Sequence, residues 1–187
     1  MEQQTPVINN QSKQKTRANA STLHIKRCSL EDMPIVASLI RSSADWYRKF
    51  VEEKDMSEHD VGQAWIDKNF KKREFYLGRD ETGEALGFHS HQSFGKVAYL
   101  GYIYLDIKHV GKGYGRMLVD HARDVSIEKG LEAMVLLAHP EATWATKAYK
   151  KYGFKRIASN KEQIKNWNNG MLDTYYEEGF DLYRYQL

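Results

Sequence analysis

Three glycines at alternate positions, Gly111, Gly113 and Gly115, stand between a β-branched, tyrosine-rich run and a helical pattern, with Lys112 and Arg116 among them. Glycine lets the backbone turn tightly and approach a ligand with no side chain in the way. At a helix start the first N–H groups lack intrahelical acceptors, and the helix dipole adds to them, so such a turn cradles an anion. The local chemistry points to a diphosphate or another polyanion; an ordinary glycine-rich turn is the alternative. A Walker loop needs Ser or Thr after Gly-Lys, and here Gly113 follows Lys112. A dinucleotide fingerprint needs a glycine where Arg116 stands, and Glu132, at roughly the right separation for a ribose ligand, precedes its strand instead of ending it.

A second motif follows one strand later. Trp144 to Phe154 reads as a short helix that closes Tyr149-Lys150-Lys151-Tyr152-Gly153-Phe154. Together the two segments resemble the GNAT superfamily of N-acetyltransferases. In that family a (Gln/Arg)-x-x-Gly-x-(Gly/Ala) turn holds the pyrophosphate of coenzyme A. Val110 to Gly115 matches it in spacing and in both small residues, with Val110 in place of Gln or Arg. The family's Asn-x-x-Ala-x-x-x-Tyr-x-x-x-Gly-Phe aligns with Ala142, Ala145, Tyr149, Gly153 and Phe154. Ala142 replaces the Asn, so no contact to the pantetheine arm is carried over to it. The resemblance covers roughly residues 23–187, most specifically 105–154.

The resemblance implies acetyl-CoA as co-substrate, no metal, and an amine of a small molecule or peptide as acceptor. The coenzyme would be held by Leu105, Asp106, Ile107, Val110, Gly111, Lys112, Gly113, Tyr114, Gly115 and Arg116. Attack of an amine on a thioester passes through an oxyanion, which a backbone N–H stabilises. In the family that donor lies near the end of the strand before the glycine turn, here Leu105, Asp106 or Ile107. Tyr149 takes the place of the tyrosine that protonates the leaving thiolate; tyrosine, with a reference pKa of ~10, keeps its proton at neutral pH. The acceptor must lose a proton as well. His139, after a strand over 133–138, is the first candidate base, with Asp106, His89, His91 and Glu141 as others. The family builds its acceptor site from the segment between the first two helices and the region before the last strand. Here these offer Trp46, Tyr47 and Phe50, then Trp167, Tyr175, Tyr176, Glu177 and Glu178. Aromatics with carboxylates suit a cationic amine or polyamine; the alternative is that they pack under a long loop. Rival readings are a different acyl donor or a hydroxyl acceptor, and a non-catalytic module that senses coenzyme A.

The elements that must position these residues alternate. A strand over 23–26 precedes a helix capped by Asp32 or Ser29, with Pro34 in its first turn. Residues 41–53 read as a polar stretch, followed by a helix from Ser57 to Arg73. Lys71, Lys72 and Arg73 read as its solvated end. Strands over 75–77 and 85–92 form a hairpin about Asp80 to Gly83, and a strand over 97–106 leads into the glycine turn. A helix ending at Lys129-Gly130, a buried strand over 133–138, the short helix, and strands over 154–158 and 180–187 complete the chain; 160–179 is polar and aromatic. The expected fold is a single α/β domain: a mixed, mostly antiparallel sheet flanked by helices, with a strand–helix–strand coenzyme A site.

The 187 residues suit one domain over 22–187, and 41% hydrophobic residues suffice for a core. Residues 1–21 carry too little apolar surface to offset their ordering entropy and read as a disordered tail without a signal peptide. Two glycosylation patterns, at Asn10 and Asn19, are discounted on that ground. With 28 basic and 25 acidic residues the balance gives no footprint for nucleic acid. No apolar run is long enough for a bilayer, so the cytoplasm is the expected location. The single Cys28 rules out an internal disulfide framework. Tyr183 and Tyr185 face either the core or a partner, such as a second copy in a homodimer.

Overall fold

The computed structural model describes residues 22–48 and 61–187. The expected tail, the stretch 49–53 and the expected helix start at Ser57 lie outside them. Among the described residues an eight-stranded sheet forms from β1 (His24–Arg27), β2 (Glu74–Arg79), β3 (Ala85–Phe94), β4 (Val97–Tyr99), β5 (Ile103–Leu105), β6 (Ala133–Ala138), β7 (Lys155–Ala158) and β8 (Asp181–Gln186). The helices are α1 (Met33–Tyr47), α2 (Gln63–Lys72), α3 (Tyr114–Glu128), α4 (Thr143–Tyr152) and α5 (Lys161–Gly170). Strand order is β1-β2-β3-β4-β6-β8-β7, with β5 paired to β3. β4 and β6 are parallel and the other pairs antiparallel. This is the mixed, mostly antiparallel sheet that the sequence implies.

Alternation along the strands supplies the sheet's two apolar faces. Phe75, Leu77 and Phe88 pack with Met33, Val36 and Ile40 of α1 and Trp65 of α2. On β4 and β6, Ala98, Met134 and Leu136 pack with Val119 and Ala122 of α3. Their neighbours Tyr99 and Val135 pack with Ile164 and Leu172 near α5. Cys28 is buried in the first cluster, and burial, aided by Asp32, raises its thiol pKa to about 12.

Local sequence decides where the expected elements shift. Both candidate caps act at the first helix: the Ser29 N–H and Oγ donate to the Asp32 carboxylate at 2.9 and 3.0 Å, closing a 3-10 turn that leads into α1. α1 runs through the expected polar stretch to Tyr47, and α2 starts at Gln63 behind Gly62. The polar region 160–179 contains α5, because Asn160 caps it by accepting from the Glu162 and Gln163 N–H groups and Ile164 anchors it in the core.

The expected strand 97–106 is two strands. The Leu100 N–H donates to the Val135 carbonyl, after which the chain leaves β6. At Tyr102 it is tied to β3 instead: Tyr102 N–H donates to Ser90 Oγ, and Ser90 N–H donates to the Tyr102 carbonyl. The buried Ser90 hydroxyl thus takes an amide that a continuous ladder would have placed elsewhere. β5 has β3 on one side and no strand on the other, so a wedge opens between β5 and the end of β6.

Candidate active site

The wedge exposes backbone donors by the rule of the antiparallel ladder. Asp106 N–H donates to the Leu86 carbonyl and Ser90 N–H to the Tyr102 carbonyl, at 2.8 Å each. Hydrogen-bonded pairs alternate, so Ile103 and Leu105 turn their amides away from β3. Asp106, named above with its neighbours, spends its amide within the sheet. Its carboxylate accepts from Lys108 N–H at 3.0 Å and caps the 3-10 turn Ile107–His109.

That turn delivers the chain to the glycines. Gly111 and Gly113 have φ of +84° and +93°, values that a side chain strains. A Cβ at either would meet no protein atom within 4 Å, so the backbone geometry, not crowding, calls for glycine. Gly113 caps α3 with no side-chain hydrogen bond; Arg116 and Met117 donate to its carbonyl. Among the described residues the amides of Gly111, Gly113, Tyr114 and Gly115 donate no turn or cap hydrogen bond to the backbone, and the helix dipole points the same way. The Tyr114 side chain is buried and packs 6.0 Å from the His109 ring. Lys112 is exposed. Arg116 is exposed too, with its Nε 3.7 Å from Asp120 and its guanidinium 5.8 Å over the Tyr152 ring.

A cavity of about 490 Å³ occupies this wedge. β5, Ile107, Val110 and the glycines form one wall, and Ala145, Ala148, Tyr149 and Tyr152 of α4 the other. At its rim Trp46 of α1 meets Trp144 of α4 edge to face at 5.1 Å. Free amides, a positive helix end and an apolar slot fit an extended thioester with a diphosphate.

A smaller cavity, about 70 Å³, lies on the far side of the wedge. Ile103, Tyr104, Ala145 and Tyr149 belong to the walls of both. Tyr149 packs 5.8 Å from Phe154, and α4 ends beyond it at Gly153. His139 lines the smaller cavity at the end of β6. Its Nδ1 is 3.3 Å from the Glu141 N–H and its ring is 5.4 Å from Phe180. Partial burial lowers its pKa below the ordinary imidazole value, opposed by Glu141 and Asp181.

Not every candidate reaches these cavities. His89 and His91 are buried beneath α3, paired with His121 Nδ1 at 2.9 Å and Ser126 Oγ at 3.1 Å, and line neither. Of the aromatic and acidic residues of 160–179, Tyr175 and Glu177 line the smaller cavity, whereas Trp167 packs in the third cluster and Glu178 pairs with Lys161. Trp46 lies by the larger cavity, and Phe50 is outside the described residues. Sequence reasoning passed over Tyr104, Tyr102, Gly101 and Trp144. It also read Arg73 as solvated, whereas its guanidinium lies over Tyr102 and Tyr175. No local pattern marks that placement; it depends on segments far apart in the chain. Among the described residues no group of three or more His, Cys, Asp or Glu is placed to hold a metal, and no helix is long and apolar enough to cross a membrane.

Solved structures share the fold. PaiA N-acetyltransferase from Thermoplasma acidophilum, in complex with coenzyme A, is 17% identical with a TM-score of 0.67, over 89% of this chain and 99% of that one. N-acetylglutamate synthase from Neisseria gonorrhoeae, complexed with coenzyme A and N-acetyl-glutamate, is 14% identical with a TM-score of 0.66, over 89% of this chain and 35% of that one. A GNAT family acetyltransferase from Elizabethkingia anophelis with acetyl-CoA bound is 17% identical with a TM-score of 0.61, over 88% and 98%. A search of curated protein sequences found no match. The model of the acetyltransferase (GNAT) family matches residues 37–154, more than half of the chain, and the chain belongs to that family.

Proposed function

We propose that the chain transfers an acetyl group from acetyl-CoA to a small-molecule or peptide amine by direct attack. Tyr149 carries the reading, because it alone among the candidate acids and bases belongs to the walls of both cavities. The turn from Val110 to Arg116 would take the pyrophosphate on its free amides, with Lys112 and Arg116 adding charge. Leu105 offers its N–H to the thioester oxygen, and Ile107 lies beside it on the same wall.

The amine enters from the smaller cavity. As its lone pair forms the C–N bond, the carbonyl electrons move onto oxygen, where a fixed backbone donor lowers the barrier. Collapse breaks the C–S bond, and Tyr149 gives its hydroxyl proton to the thiolate. The proton lost by the amine goes to His139, whose lowered pKa keeps it neutral and receptive at pH 7. Tyr99, Tyr102, Tyr175 and Glu177 around that cavity support a cationic amine as acceptor.

Tyr149→Phe tests this directly. Thiol release from acetyl-CoA should fall by about 100-fold in kcat. Saturating acetyl-CoA should still raise the thermal midpoint by roughly 5–10 °C, as in the wild type. Unchanged turnover would remove the acid, and no midpoint rise at millimolar acetyl-CoA in either protein would remove the coenzyme reading.

A further inference from the structure

Trp46 and Trp144 bridge the larger cavity. Trp46 lies in the last turn of α1, which packs on β5, and Trp144 in the first turn of α4 on the opposite wall. Their rings meet edge to face, with centroids 5.1 Å apart and planes at 82°. That is a preferred aromatic arrangement, so the pair ties the two walls together where it stands. Both indoles are half-buried.

The course of α4 fixes where along the cavity this bridge falls. Trp144, Ala145, Ala148, Tyr149 and Tyr152 line the cavity at helical spacing and form one face of the helix. Tyr152 marks the glycine end, because the Arg116 guanidinium lies over its ring. Tyr149, the proposed acid at sulfur, stands one turn further along. Trp144 precedes Tyr149 by five residues, about 7.5 Å along the axis at 1.5 Å per residue. On the other wall Leu105 leads toward the glycines and Ile103 lies away from them. A coenzyme with its diphosphate at the glycines and its sulfur at Tyr149 therefore directs its acyl group toward the indoles. This end of the cavity is also uncharged. The charged wall residues, Arg116 and Lys151, lie at the start of α3 and the far end of α4. Beside the indoles stand Ala145 and Ser43, and the Ser43 hydroxyl donates to the Ile40 carbonyl of its own helix at 2.9 Å. Such a wall suits hydrocarbon better than an ammonium.

We propose that the Trp46–Trp144 pair sets the length of the acyl group: it closes the wedge beyond the thioester, so that acetyl fits and a longer acyl chain does not. The inference rests on the acetyl-transfer reading and assigns its donor specificity. It moves Trp46 from the acceptor, where the sequence suggested it, to the donor. Added methylenes would have to part the indoles or turn back into water, and both are unfavourable.

The test measures binding of free coenzyme A, acetyl-CoA, butyryl-CoA and hexanoyl-CoA to the full chain by calorimetry, which needs no acceptor. Wild type should bind hexanoyl-CoA at least 10-fold more weakly than acetyl-CoA, with butyryl-CoA between them. Trp46→Ala and Trp144→Ala should each tighten hexanoyl-CoA by about 10-fold and so erase the preference, while free coenzyme A, which ends at the sulfur, stays within threefold. Trp46→Phe keeps a ring against Trp144 and should retain most of the wild-type preference. Equal affinity of wild type for acetyl-CoA and hexanoyl-CoA overturns the proposal, as does a preference that survives both alanine variants. A loss of free coenzyme A affinity as large as any change with the acyl forms overturns it too, because the pair would then merely hold the walls. In each of these cases the wild type still binds acetyl-CoA and acetyl transfer stands; absent binding of acetyl-CoA to the wild type brings down both readings.

Discussion

The two sides of the wedge are built from different materials. The side proposed for the coenzyme is main chain: amides of β5, glycines at positive φ and the first turn of α3. The side proposed for the acceptor is side chains, with His139 after β6, Tyr99 of β4, Tyr102 from the break before β5, and Tyr175 and Glu177 before β8. A grip made by amides survives changes of side chain, so Val110 and Ala142 in place of the usual Gln or Arg and Asn leave the cradle's backbone in place. A cavity made by side chains is rewritten by each substitution. Structures 14–17% identical to this chain can therefore share its fold while saying nothing of its acceptor.

Acid should weaken the coenzyme side's support most. α3 rests on β3 through His89 and His91, both buried. Burial, with nearby His121 and His91 charge, pushes the His89 pKa well below the ordinary 6.5, and burial, with Lys129, lowers that of His91 to about 4. Unfolded, both titrate near 6.5, so between that value and about 4 the unfolded chain binds more protons than the folded one. Stability is then complete above pH 6.5 and falls as pH drops, by ~1.4 kcal/mol per pH unit for each proton. From pH 7.5 to 5.0 the thermal midpoint should drop by roughly 10 °C. His91→Gln, which keeps a partner for Ser126, should remove about one proton's share of the slope. A flat midpoint over this range, or an unchanged slope in the variant, would show that the buried histidines do not set acid stability.

Gly113→Val sharpens the claim that the coenzyme side is a backbone device. A side chain at φ +93° costs ~1–2 kcal/mol whatever space surrounds it. Relief of that strain would turn the first amides of α3, so acetyl-CoA affinity should fall by about 10-fold by calorimetry. Gly83→Val is the matched control. Gly83 has φ +88°, equally open space, and lies in the β2–β3 hairpin away from both cavities. It should cost similar stability and leave the affinity unchanged. Equal loss of affinity in both variants would mean that global strain, not the cradle, governs binding.

The same division explains what the sequence revealed. Gly111, Gly113 and Gly115 announce their conformational need locally, and Tyr149, Gly153 and Phe154 sit in one short helix with its stop, so the coenzyme side could be read from consecutive residues. Arg73, Tyr102 and Tyr175 meet only because α2, the break before β5 and the turn before β8 converge, and no spacing encodes that. The break itself was hidden because residues 97–106 have uniform strand character. The Ser90 hydroxyl that captures the Tyr102 amide comes from another strand. His89 and His91 looked like candidate bases because alternation tells which residues share a face but not which face meets α3.

His139→Ala should have the smallest effect and probes the acceptor side. The smaller cavity holds His139 partly exposed, with Nδ1 already 3.3 Å from the Glu141 N–H, so water can replace it as proton carrier. Its lowered pKa places loss of a neutral imidazole on the acid side of 6.5. Wild-type kcat/KM should therefore decline as pH falls through that lowered value, in addition to the decline from protonation of the amine itself. At pH 7 the variant should lose about 10-fold, the low end for a general base. The loss should shrink to within twofold near pH 9, where a larger share of the amine is already neutral. A uniform loss at every pH would instead make His139 a packing residue against Phe180, and no loss at any pH would leave deprotonation of the acceptor to water alone.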